Sequence, residues 1–148
     1  MTKSILRLLI GSMMLGLAVA PAADKAARQG LDDRMHALNE TVKKKSSMKT
    51  ALHGVSVETG VPLATVESMH KHHPDTGPAG ILVACVLADE TKKPAEQLVK
   101  KHEDGKTWAE IARENKVPVE KLDRKLDNLE KFLASPGDKE GKGKRHKD

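Results

Sequence analysis

The sequence predicts an all-α protein: a leading helix, three stacked helical hairpins, and a basic tail without fixed structure. Three observations carry this. Among 148 residues there is no Tyr, one Phe and one Trp, so the core must be built from Leu, Val, Ile, Ala and Met. That suits helix against helix better than a sheet rich in aromatic and β-branched residues. A short unit recurs three times along the chain, and repeats of this kind stack. The run GILVACVLA at residues 80–88 is apolar on every side and needs neighbours all round it.

Residues 1–22 read as a secretory signal peptide. Lys3 and Arg7 come first, an apolar stretch runs from Leu8 to Ala20, and Ala20-Pro21-Ala22 supplies an A-x-A cleavage site. The apolar stretch is shorter than the ~20 residues of a spanning helix. No Cys ends the leader, so the mature product is expected to be free of a membrane anchor and either periplasmic or secreted.

Residues 23–46 form the leading helix. Leu31, Met35, Leu38 and Val42 fall at spacings of four, three and four, one narrow amphipathic face. Lys43, Lys44 and Lys45 close it, opposing the negative end of the helix dipole. Such a narrow face predicts loose docking.

Residues 47–134 hold the repeat. ALHGVSVETGVPLATVESMH from Ala51, VACVLADETKKPAEQLVKKH from Val83 and TWAEIARENKVPVEKLDRKL from Thr107 share one frame. Leu52, Ala84 and Trp108 coincide in it, as do Val55, Leu87 and Ile111. Glu58, Glu90 and Glu114 coincide, then Pro62, Pro94 and Pro118, and finally Val66, Leu98 and Leu122. Each copy reads as a helix, a turn at Gly60, Lys92 or Lys116, and a second helix opened by Pro at its first position, where the missing N–H costs nothing. One hairpin is too small to bury its own apolar face, hence the stack. The middle copy is flanked on both sides, which explains its all-round apolarity. A charge at Cys85 or Val86 should therefore be worse than one at His53, Gly54, Ala109 or Glu110. Residues 74–80, PDTGPAG, read as a break between units. Residues 135–148, SPGDKEGKGKRHKD, carry no large apolar residue and are expected to be disordered.

The segment LADETKKPAEQLVKKHEDGKTWAEIARENKV resembles small exported bacterial all-helical proteins of unassigned role, over about residues 59–133. That resemblance implies a compact secreted helical domain and no particular activity. The shorter TWAEIARENKVPVEKL is similar to the helix-turn-helix of bacterial regulators.

Charge argues against that second likeness as a function. The net charge is +5, yet the leader takes Lys3 and Arg7, and the tail takes five of the 26 basic and three of the 21 acidic residues. The body keeps 19 basic and 18 acidic residues and is nearly neutral. Glu120, Asp123, Asp127 and Glu130 offset the basic residues of the would-be recognition helix, so phosphate attraction largely cancels.

His70, His72 and His73 crowd one helix end and form the candidate metal or small-ligand site; the alternative is that they complement the helix dipole there. No Gly-rich phosphate loop or nucleophile elbow is present. Cys85, the single Cys, lies in the apolar run and reads as a buried hydrophobe. Recurrent Glu58, Glu90 and Glu114 occupy a structural slot and are held apart, whereas acid–base catalysis needs convergence. Trp108, the lone Trp, is a core residue or an anchor for a partner. The expectation is a non-enzymatic, cofactor-free protein that binds another protein, with periplasmic metal or ligand binding and DNA binding as the alternatives.

Overall fold

The computed structural model describes residues 21–135, with side chains from residue 30. Residues 1–20 of the expected signal peptide and residues 136–148 of the expected tail lie outside the described residues. Within them every element is helical: α1 (Pro21–Lys45), α2 (Met48–Thr59), α3 (Leu63–His72), α4 (Gly77–Thr91), α5 (Ala95–Glu103), α6 (Trp108–Glu114) and α7 (Val119–Ala134), with a 3-10 turn at Pro74–Thr76. The pairs α2–α3, α4–α5 and α6–α7 are the three hairpins, stacked behind α1. No described helix is long and apolar enough to cross a membrane.

All three hairpin turns are built the same way. Gly60, Lys92 and Lys116 occupy equivalent positions with φ of 73°, 57° and 58°. One residue earlier, the Thr59 and Thr91 hydroxyls and the Asn115 amide each donate to the carbonyl four residues back, at 2.7, 2.7 and 2.6 Å. That bond closes the first helix, and the left-handed residue reverses the chain. Pro62, Pro94 and Pro118 follow with φ between −63° and −53° and ψ near 135°. Each is the N-cap of the second helix, one position before the first helical residue expected for it, because its ψ is still extended. Four residues on, Val66, Leu98 and Leu122 are fully buried against the first helices.

Helix α4 is the centre of the molecule. Gly77 to Leu87 are all buried, and α1, α2, α3, α5 and α7 pack around the helix. The break expected at residues 74–80 is shorter than its Gly and Pro content suggests: a 3-10 turn takes three residues and α4 starts at Gly77, with Pro78 in its first turn where no N–H is needed. Outer copies are not as exposed as the repeat suggested. His53 is exposed, but Gly54 and Ala109 are buried, and an added Cβ on Gly54 would lie 2.7 Å from both Leu129 Cδ1 and Phe132 Cδ1. Gly54 lets α2 and α7 approach closely.

The leading helix is firmly docked, contrary to expectation. Leu31, Met35, Leu38 and Val42 are between 1% and 7% exposed. Polar residues on the same helix cap the stack: Asp32 Oδ1 accepts from the Trp108 N–H at 3.3 Å and Asn39 Oδ1 accepts from the Ala79 N–H at 3.0 Å. Just past its end, Ser47 Oγ accepts from the Thr50 N–H at 3.0 Å. One segment thus serves the free N–H groups at the start of α6, α4 and α2 in turn, the groups a helix cannot satisfy itself. Gly77, at φ 66°, makes room for Asn39, whose amide would sit 2.5 Å from a Cβ there.

Candidate functional site

The residues singled out by sequence do not converge. Among the described residues no group of three or more His, Cys, Asp or Glu is placed to hold a metal ion, so His70, His72 and His73 are not brought together as a ligand set. His73 caps α3 and its Nδ1–H donates to Glu103 Oε1 at 2.8 Å, tying the first hairpin to α5. His70 is half-buried with Nδ1 enclosed and unpartnered, and His72 is exposed. Cys85 is buried 4.0 Å from the Met69 sulfur, and burial pushes its thiol up to about 11, well above a reactive range.

Trp108 is 1% exposed and offers no surface to a partner. Of the two readings of Trp108, core residue or partner anchor, its burial fits the first. The His102 ring stacks on it with centroids 4.6 Å apart and planes 24° off parallel.

The three recurrent glutamates tie the hairpins to one another. Glu58 meets Lys125 at 3.6 Å and Asn128 at 3.1 Å, Glu90 meets Lys121, and Glu114 meets Lys106 and Lys101. The Lys106 hydrogen bond holds the Glu114 carboxyl below its ordinary value. These are partly exposed pairs, which solvent screening keeps weak.

Helix α7, the second helix of the regulator-like segment, has polar side chains engaged on both flanks. One flank, Asp123, Asp127 and Glu130, is gathered by Arg34 of α1. The other flank, Lys121, Lys125 and Asn128, is held by Glu90 and Glu58. A recognition helix must keep such side chains for bases and phosphates.

One polar constellation was not visible in the sequence. Asp32 on α1 reaches the start of α6, beside His102. Its Oδ1 takes the Trp108 N–H, while Oδ2 is buried without a partner. Desolvation raises the Asp32 pKa, the Trp108 N–H and His102 oppose the rise, and Asp33 and Glu110 add to it. His102 Nδ1–H donates to the Lys106 carbonyl at 2.8 Å, and Thr107 with Glu110 completes a capping box at the same helix start. Chemically this is a half-buried carboxylate in a helix seam, with one oxygen enclosed.

On the surface, Val57 is the one large hydrophobic side chain exposed among the described residues, at 49%. It lies one turn from exposed His53 on α2, and the half-buried Phe132 of α7 sets its ring edge-on to His53, centroids 5.8 Å apart.

No family model matches the chain, and no curated protein and no solved structure matches it either.

Proposed function

We propose that this chain is an exported, non-enzymatic protein that acts by binding another protein, in the periplasm or at a neighbouring cell surface. The observation that carries the reading is the face of α2 where Val57, the one large hydrophobic side chain exposed among the described residues, lies one turn from His53, whose ring meets Phe132 of α7 edge-on. Hydrophobic and aromatic groups that remain at a surface are the usual centre of a small protein contact. The signal-peptide pattern of residues 1–22 supports export, and the resemblance to small exported helical proteins supports the same compartment. Charged side chains that would serve other chemistry are spent on joining helices: Arg34, Glu58, Glu90, Lys121 and Lys125 all pair across elements.

The test is affinity capture from envelope extract with the processed wild-type chain and with Val57→Asp, both checked by circular dichroism. The reading requires a protein retained by wild type and lost by the folded variant. Equal retention by both, or none by wild type, overturns it.

A further inference from the structure

We propose that the corner where α1 passes into α2 is a docking face for the anionic phospholipid surface of a membrane. Between residues 41 and 50 the chain carries Lys43, Lys44, Lys45 and Lys49 and no carboxylate. All four are exposed, Lys43 and Lys44 with 65% and 72% of their side chains accessible. Glu40 alone answers two of them, at 2.9 Å from Lys43 and 3.8 Å from Lys44, and the Lys43 hydrogen bond holds its carboxyl below the usual range. Positive charge therefore exceeds negative here, unlike α7, where ion pairs balance both flanks.

Two further features add to it. Helix α2 begins at this corner with no acidic residue in its first turn, so the positive end of its dipole is uncompensated by its own side chains. The end of α7 packs on the first half of α2 through Phe132 against His53 and Gly54. Ser135 follows three residues beyond Phe132, and in the sequence residues 135–148 carry five Lys or Arg against three Asp or Glu.

Side-chain type selects the partner. Residues 41–50 hold lysines, which act as point charges toward phosphate, and no Arg, Asn or aromatic side chain that would read or stack a base. The corner is the junction of two helices, with half-buried Met48 among the lysines. Polybasic clusters of this size bind anionic leaflets, and each lysine contributes about fivefold in affinity.

Sedimentation of the processed, full-length mature chain with vesicles tests this. Wild type should bind vesicles containing phosphatidylglycerol, release with added salt, and ignore pure phosphatidylcholine. Replacing Lys43, Lys44, Lys45 and Lys49 together by Gln should weaken binding at least a hundredfold with an unchanged thermal melt. A second variant, with Lys142, Lys144, Arg145 and Lys147 changed to Gln, should lose less. Absent binding to anionic vesicles, equal binding to neutral ones, or an effect confined to the tail variant overturns the proposal. So does soluble polyphosphate competing at equal phosphate concentration, which would assign the corner to free phosphate. Val57→Asp should bind vesicles like wild type, which keeps this outcome separate from that of the protein-binding face.

Discussion

Helices α4 and α2 open equivalent hairpins, yet α4 is buried over eleven consecutive residues while α2 keeps His53 and Val57 in solvent. The difference comes from position in the stack. The middle copy has neighbours on all sides, so its first helix must be apolar all round, whereas an end copy needs only one apolar stripe. Helix α6, the other end copy, is a partial exception because α1 folds back over its start and buries Trp108 and Ala109.

The largest effect should come from placing a charge in equivalent slots. Cys85→Asp buries an uncompensated carboxylate and should cost about 4 kcal/mol or more, enough to unfold a small domain. His53→Asp, its partner in the first copy, should lose only the edge contact with Phe132, about 1 kcal/mol. Urea melts of the two variants check this; equal losses would remove the distinction between middle and end.

Next come glycines in contrasting surroundings. Gly54→Ala drives a methyl to 2.7 Å from Leu129 and Phe132 and should destabilise by about 1–3 kcal/mol, since α2 and α7 must separate. Gly30→Ala on α1 meets nothing within 4 Å and should stabilise by about 0.5–1 kcal/mol through helix propensity. Thermal melts of the pair should move in opposite directions.

A pH-dependent effect separates α1 from the hairpins it caps. Burial raises the Asp32 pKa in the folded chain, so the folded state holds a proton that the unfolded chain releases. Its contribution is fully present below the ordinary carboxylate value and is lost as pH rises through the raised one. Asp32→Asn keeps the acceptor for Trp108 N–H and should match wild type in acid, then become the more stable of the two as pH rises. A constant difference across that range would show that the seam does not disfavour the charge.

Smallest is the turn comparison. Lys92 and Lys116 hold the left-handed conformation that Gly60 holds at no steric cost. Lys92→Gly and Lys116→Gly should each stabilise by about 0.5–1 kcal/mol, and Gly60→Ala should destabilise by about 1 kcal/mol. Chemical denaturation midpoints are sensitive enough to show the sign.

Features set by local pattern were legible in the sequence. The repeat frame located all three turns, the buried residues after each Pro, and the stripe of Leu31, Met35, Leu38 and Val42. What escaped depends on contacts between distant segments. Asp32 and Asn39 look like ordinary surface residues of α1 until α6 and α4 are set against them, so firm docking could not be read from a narrow stripe. Residues 74–80 looked like a linker because Pro and Gly favour turns in isolation; Pro78 instead starts a helix. Trp108 is large and alone, which fits a core or a surface equally until the fold covers it. The exposed face at Val57 is equally silent, because one Val between polar neighbours carries no periodic signal.

Native-state hydrogen exchange tests the central claim most directly, that the stack is organised around α4. Amides of residues 81–87 should exchange only through global unfolding, with the protection of the whole domain, while those on the outer turns of α2 and α6 open locally and exchange faster. Protection in α2 or α6 equal to or above that of α4 would contradict the account.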